Sequence, residues 1–282
     1  MTSKSFGDIS NLKTSNIEVK PKKSLGQNFL VDENIARKIV GSLELSPKDI
    51  VVEIGPGQGA LTKYIVDKVS KLLAVEIDKR VAEKLKSEFV SQNIEIINQD
   101  FLDFDFKELF IKYKRKIRLL GNLPYHLTSP ILFMAIENRS YVSDFTFMIQ
   151  KEVAQRLVGK RDTKNYGILA VLSQFYGMPE ILFSVSNNCF YPKPKVTSTV
   201  VRISFSEELP YRVDEELFRT VVRTTFGKRR KTIKNGLKYL PFEEQINDKI
   251  INSLDFPMHK RPEQLSIEDF VTLTNKISEI IR

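Results

Sequence analysis

The amino-acid sequence predicts an α/β protein: a doubly wound parallel sheet followed by a small all-helical region. Three observations lead there. Between residues 50 and 158, short apolar runs alternate with longer amphipathic stretches, the rhythm of parallel strands joined by helices. The first of those runs ends in a glycine-rich loop that opens a helix. Beyond Ser206 no strand pattern remains, and helical stretches are separated by turns at Gly227, Pro241 and Pro257.

Residues 1–20 show neither periodicity nor turn punctuation and are expected to form a flexible N-terminal extension. Asp32 is a good helix N-cap, and Ile35, Ile39, Val40 and Leu43 follow at helical spacing, so a helix is expected to run to Ser46-Pro47. The strand candidates are Ile50–Ile54, Leu72–Ile77, Ile94–Asn98, Ile117–Leu120 and Phe145–Ile149. Amphipathic stretches Ala60–Val69, Asp78–Val90, Ser129–Asn138 and Lys151–Val158 are read as helices.

After about residue 180 the pattern changes. Glu180–Ser186 and Val196–Phe205 are rich in Val, Ile, Phe and Thr and flank the proline-punctuated loop Asn187–Lys195. They are expected to pair antiparallel at the sheet edge. Val213–Phe226, Lys228–Leu240, Glu243–Leu254 and Pro262–Ile281 read as helices. The division expected is therefore a sheet domain over residues 21–206 and a helical domain over 207–282.

Composition narrows the function classes. The 282 residues carry 44 Lys+Arg against 35 Asp+Glu, a net charge of +9 that suits an anionic partner. A single cysteine, Cys189, excludes an intrachain disulfide, and with only His126 and His259 beside it no metal site is expected. No apolar run is long enough for a spanning helix, and the first residues lack a signal-peptide core, so a soluble, cytoplasmic protein is expected. Basic residues cluster without an acidic one from Arg219 to Lys238. Arg223, Lys228, Arg229, Arg230, Lys231 and Lys234 are the candidate nucleic-acid contacts in that run. A second cluster, Lys112–Arg118, is read as a solvated surface loop.

The glycine loop is Gly55-Pro56-Gly57-Gln58-Gly59, directly after strand residues Val51–Ile54. Glycines there permit a tight turn and close approach of a ligand to the backbone. The next strand ends at Glu76, placed to accept hydrogen bonds from a ribose diol. Together Gly55, Gly57 and Glu76 indicate a nucleoside-containing ligand, and they suit NAD as well as S-adenosylmethionine. Asp100 follows the third strand, where a carboxylate can receive an adenine amine or simply cap a turn.

More informative is Asn122-Leu123-Pro124-Tyr125 at the end of the fourth strand, on the side of a doubly wound sheet where ligands sit. An exocyclic aromatic amine is a poor nucleophile because its lone pair is conjugated into the ring. The Asn122 side-chain oxygen and the Leu123 carbonyl can each accept one amine hydrogen and bias the nitrogen toward a tetrahedral shape. Pro124 removes a competing N–H and stiffens the carbonyl before it. Tyr125 offers a flat face for a base. With a sulfonium leaving group, positioning can suffice without a dedicated general base. Phe190, in a loop stiffened by Pro192 and Pro194, can either clamp a flipped base opposite Tyr125 or tuck into the core.

These segments, in order, resemble the ribosomal-RNA adenine N6-dimethyltransferases of the KsgA type, from about residue 20 to about residue 275. The resemblance is carried by Lys23–Leu30, Glu53–Gly57, Glu76-Ile77-Asp78, Asp100, Asn122–Tyr125 and Phe190–Val196. It implies a Rossmann-like S-adenosylmethionine-dependent methyltransferase sheet, with Asn28, Leu30, Gly55, Glu76, Asp100 and Asn122 lining the cofactor site. It also implies that Tyr125 and Phe190 hold a flipped adenine.

The activity implied is dimethylation at N6 of two adjacent adenines near the 3′ end of small-subunit ribosomal RNA, with a role in subunit maturation. The implied partner is the pre-ribosomal small subunit, met by a monomer. Relatives that methylate large-subunit RNA and confer antibiotic resistance share the catalytic core. The segment Phe226–Asn235 and the context of Gln27–Leu30 favour the small-subunit type. His126 departs from the Asn that many relatives carry after Pro-Tyr. Two rivals stand beside this reading: a nicotinamide-dependent oxidoreductase, and an RNA-binding assembly or transcription factor without turnover.

Overall fold

A computed structural model describes residues 19–206 and 208–282. In chain order the elements begin with β1 (Phe29–Leu30), α1 (Glu33–Ser42), β2 (Ile50–Ile54), α2 (Thr62–Ile65) and β3 (Lys71–Glu76). Then come α3 (Lys79–Glu88), β4 (Ile94–Asn98), α4 (Phe106–Tyr113), β5 (Ile117–Asn122), α5 (Thr128–Glu137) and β6 (Val142–Gln150). They are followed by α6 (Lys151–Leu157), α7 (Ile168–Tyr176), β7 (Gly177–Val185), β8 (Phe190–Tyr191) and β9 (Ser198–Phe205). Helices α8 (Glu215–Gly227), α9 (Ile233–Leu237), α10 (Glu244–Ser253) and α11 (Ile267–Ile281) complete the chain.

The large sheet has seven strands in the order β4-β3-β2-β5-β6-β9-β7. β2 pairs parallel with both β3 and β5, so the winding reverses direction between β2 and β5. That reversal opens a crevice at the carboxyl ends of the central strands. Every residue of β2 is buried, as a strand covered on both faces requires. The strand bounds expected for Ile50–Ile54 and Ile94–Asn98 match. β5 runs two residues further than expected, pairing Asn122 with Met148 of β6.

Helix starts follow local chemistry. The Asp32 carboxylate accepts from the backbone N–H of Asn34 and Ile35, and Asp78, Asp105 and Asp214 cap α3, α4 and α8 in the same way. Helix α4 is not among the expected elements, although Asp105 and Glu108 signal its start. The expected helix Lys228–Leu240 shrinks to α9, because the chain turns through Lys228–Arg230 and restarts at the Thr232 cap.

The chain divides into two compact units. One holds the described residues up to Lys151 together with Leu182–Arg202; the other holds Glu152–Ile181 and Ile203–Arg282. The expected single boundary at 206 thus misses that residues 152–181 cluster with the C-terminal helices. The reason is aromatic packing within the second unit. Phe175 of α7 lies 4.3 Å from Phe218 of α8, and Tyr166 meets Phe226 edge-on at 5.9 Å. The Tyr166 hydroxyl also donates to Leu265 O at 2.9 Å.

Two further expectations need correction. Residues 1–18 of the expected N-terminal extension lie outside the described residues, but Val19 and Lys20 are held: their carbonyls accept from Gln58 Nε2 (2.9 Å) and Arg80 Nη2 (3.3 Å). Arg118 is not part of a solvated loop. It sits in β5 with its guanidinium on Asp144 (2.8 Å), Asp49 (2.9 Å) and Leu43 O (2.7 Å), because a half-buried cation needs its donors satisfied.

Candidate active site

The sheet's carboxyl end opens into a cleft of about 1080 Å³, its solvent-facing mouth included. All the residues expected at the cofactor site line it: Asn28, Leu30, Gly55, Gly57, Glu76, Asp100 and Asn122. Leu123, Pro124, Tyr125 and Phe190 line it too. Four strand ends, those of β2, β3, β4 and β5, therefore deliver the polar groups to one place, as expected of consecutive parallel strands.

The glycine loop runs through the left-handed region of backbone space, which glycine enters at least cost. Gly55 and Gly57 have φ of +62° and +56°. A Cβ on Gly57 would stand 2.9 Å from the Phe29 ring, so β1 is packed directly on the loop. At Gly55, which lines the cleft, a Cβ would meet nothing within 4 Å, so the space beside it is open.

Glu76 ends β3 almost fully buried. Its carboxylate accepts from Asp78 N at 2.9 Å and Gly57 N at 3.3 Å, coupling the end of β3 to the glycine loop. Burial raises its pKa, and those two backbone donors oppose the rise. Asn98 Nδ2 holds the Glu76 and Ile77 carbonyls at 2.8 and 3.2 Å. Behind them lies Glu53 of β2, fully enclosed and accepting the Thr62 hydroxyl at 2.7 Å. Burial pushes its carboxyl up to about 7; the Thr62 bond opposes this and the Glu76 charge adds to it. Asp100 Oδ1 accepts from Leu102 N at 2.9 Å, so this residue both caps a turn and borders the cleft.

Asn122, the last residue of β5, donates from Nδ2 to the Asn28 carbonyl at 2.9 Å. That bond sets the amide: with the nitrogen committed to Asn28, the oxygen is the atom left for a ligand. Leu123 is fixed by its N–H on Met148 O (3.2 Å), and Pro124 O accepts from Leu127 N (3.0 Å). The Tyr125 hydroxyl shares a hydrogen bond with Ser198 Oγ at 3.0 Å, which ties the ring to β9.

Of the two readings left open for Phe190, its burial matches the core one, though in a short strand and not a free loop. It belongs to β8, pairs with Leu30 of β1 and is 5% exposed, with its ring in the core that also borders the cleft. The two-residue pairing of β1 with β8 is what seats Asn28 beside Asn122. No local signal announces it, because the partners are some 160 residues apart in sequence. Sequence reasoning gave no role of their own to Asp78 and Gln27, which join this N-terminal segment to the turn after β3.

The basic run lies in the second unit. Arg223, Lys228, Arg230, Lys231 and Lys234 are exposed. Lys228 Nζ lies 4.3 Å from the centroid of the Tyr239 ring, and Lys231 Nζ is 2.8 Å from its hydroxyl, which lowers the Tyr239 pKa. Arg229 is different from the rest. It is half-buried, with its guanidinium on Glu263 (3.0 Å), Lys164 O (3.0 Å) and Thr163 O (3.1 Å), so it braces the fold. Among the described residues no cluster of His, Cys, Asp or Glu could hold a metal ion, and no helix is long and apolar enough to cross a membrane.

The family model for ribosomal RNA adenine dimethylase matches residues 18–279. The chain is 43% identical over 260 residues to ribosomal RNA small subunit methyltransferase A of Flavobacterium johnsoniae, covering 92% of this chain and 97% of that one. It is 40% identical over 262 residues to the protein of the same name from Alkaliphilus metalliredigens, covering 91% of each. Among solved structures, a dimethyladenosine transferase from Plasmodium falciparum superposes with a TM-score of 0.74 at 23% identity, covering 88% of this chain and 97% of that one. The 23S rRNA methyltransferase ErmE superposes at 0.65 and 24% identity, covering 89% and 100%. Both share the fold.

Proposed function

Because the chain belongs to the ribosomal RNA adenine dimethylase family, we propose that it transfers methyl groups from S-adenosylmethionine to N6 of two adjacent adenines near the 3′ end of small-subunit ribosomal RNA. The nicotinamide reading of the glycine loop falls with that membership. The observation that carries the proposal is the set of Asn122: its amide nitrogen is held by Asn28, which turns the oxygen toward an incoming amine.

The cleft suits the methyl donor. Gly55 leaves the backbone open to close approach, and a side chain there would occupy that open space. Glu76 and Asp100 supply carboxylates where a ribose diol and an adenine amine would need acceptors, and Asn28 and Leu30 close the N-terminal side. When bound, S-adenosylmethionine supplies a methyl group on a positively charged sulfur that leaves readily.

The chain's own residues do the positioning. Asn122 Oδ1 and the Leu123 carbonyl each accept a hydrogen of the adenine amine, drawing its lone pair out of conjugation. Pro124, lacking an N–H, adds no donor of its own beside that carbonyl. Tyr125, tethered at its hydroxyl by Ser198, offers its face to the base, and buried Phe190 backs the pocket. Neither acceptor is basic enough to keep the displaced proton, which passes to water.

In the second unit, exposed Arg223, Lys228, Arg230, Lys231 and Lys234 supply salt-sensitive contacts to RNA phosphates. The partner in this reading is the pre-ribosomal small subunit, met in the cytoplasm by a monomer. Incubation of the chain with tritiated S-adenosylmethionine and unmethylated small subunits should place label in N6-dimethyladenosine of the small-subunit RNA. Label in large-subunit RNA alone, or salt-dependent binding without label, would overturn it.

A further inference from the structure

We propose that Asp78 is a positioning residue for methyl transfer, acting through the N-terminal strap of residues 19–28 on the amide of Asn122. Asp78 follows β3, is 2% exposed, and caps α3 by accepting from Arg80 N at 3.2 Å. A cap needs one such bond, and Asp78 has several more. Arg80 returns its side chain to the carboxylate through Nε (3.1 Å) and Nη2 (2.6 Å). The remaining two partners come from the strap: Lys22 Nζ and Gln27 Nε2, each at 3.4 Å. The Arg80 pairing holds the Asp78 carboxyl down at about 2, so the charge persists at any physiological pH.

Gln27 connects this carboxylate to the site. Its amide oxygen accepts from Lys22 N at 2.7 Å while its nitrogen reaches Asp78. The next residue is Asn28, whose carbonyl receives the Asn122 amide at 2.9 Å and whose side chain folds back onto Gly26 O at 3.1 Å. On its other side the chain enters β1, pinned to β8 by the Phe29–Tyr191 and Leu30–Phe190 pairs. Asn28 therefore lies between its two nearest anchors, the β1–β8 pairing on one side and Gln27 on the Asp78 carboxylate on the other; farther back the strap is also held by Gln58 on Val19 O and by Arg80, itself bound to Asp78, on Lys20 O. Without the charge, Gln27 loses its hold, the Asn28 carbonyl is free to drift, and Asn122 loses the bond that orients its oxygen. Misplacement of a reacting group by about an ångström costs on the order of a hundredfold in rate.

The test uses the full chain carrying Asp78→Asn, since asparagine caps a helix as well as aspartate and α3 keeps its start. Native-state trypsin cleavage after Lys22 and Lys23 reports strap release and assumes nothing about the reaction. The kinetic arm rests on the methyl-transfer reading. We expect cleavage to accelerate roughly tenfold and kcat to fall roughly tenfold or more, with Gln27→Ala giving similar losses and the double variant no worse than either single one. Should Asp78→Asn misfold, Gln27→Ala alone carries both readouts. A strap that stays protected, a released strap with unchanged kcat, or single losses that multiply in the double variant would each overturn the proposal. Absence of methyl transfer by the unaltered chain, with strap release still seen in the variant, would instead count against the reaction assigned.

Discussion

The Asn122 side chain at the end of β5 donates to the backbone carbonyl of Asn28, a residue 94 positions earlier, at 2.9 Å. In the proposed reaction, that bond leaves the amide oxygen to face an incoming adenine. Asn122→Ala removes the acceptor, and Asn122→Asp removes the donor while placing a carboxylate against the Asn28 carbonyl. Both variants should lose about a hundredfold or more in methyl incorporation while retaining S-adenosylhomocysteine binding within about tenfold, measured by single turnover and calorimetry. Activity close to that of the unaltered chain in either would remove Asn122 from its role.

Glu53 gives a pH signature. Its carboxyl is raised from 4.5 to about 7 by burial, so the folded chain holds this proton after the unfolded chain has released it. The stability it contributes is complete below pH 4.5 and declines as pH rises to about 7, by about 3 kcal/mol. Glu53→Gln, which can still accept from Thr62, should lack that decline. Denaturant melts of both proteins from pH 4.5 to 7.5 check this; stability differences that stay constant across the range would refute it.

At Gly57 the strain and the packing act together. A methyl group there meets the Phe29 ring at 2.9 Å and must sit at a φ of +56°. Gly57→Ala should cost about 1–3 kcal/mol and weaken S-adenosylhomocysteine binding about tenfold, because Phe29 adjoins Asn28. Thermal melts and calorimetry would show it, and a variant matching the parent in both would contradict the packing argument.

The basic run should separate into two kinds of residue. Lys228→Ala and Lys231→Ala should each lower the slope of log affinity for RNA against log salt by about one, with little change in melting temperature. Arg229→Ala should leave that slope intact and lower stability, since its guanidinium serves Glu263 and two backbone carbonyls. The reverse pattern would reassign Arg229 to the RNA.

Much of the candidate site was legible because its residues are local to strand ends. The apolar runs mark β2, β3, β4 and β5, and the residue that closes or follows each of them (Gly55, Glu76, Asp100, Asn122) is carried to the same crevice by the parallel winding. Periodicity reads such elements because side-chain burial repeats along the chain itself. Helix α7 escapes the same reading, since it is apolar nearly all round and has no polar face to set a period.

By itself, then, the sequence determined the sheet's order of motifs, the residue types of the Asn122–Tyr125 segment and the family to which the chain belongs. Only the tertiary structure decided which way the Asn122 amide turns, that Phe190 is a buried strand residue, that residues 152–181 join the C-terminal helices, and that Arg118 and Arg229 are braces. The physical reason is common to all four. Each depends on partners distant along the chain, and a carbonyl, a ring or a carboxylate supplied from afar leaves no trace in the spacing of its neighbours.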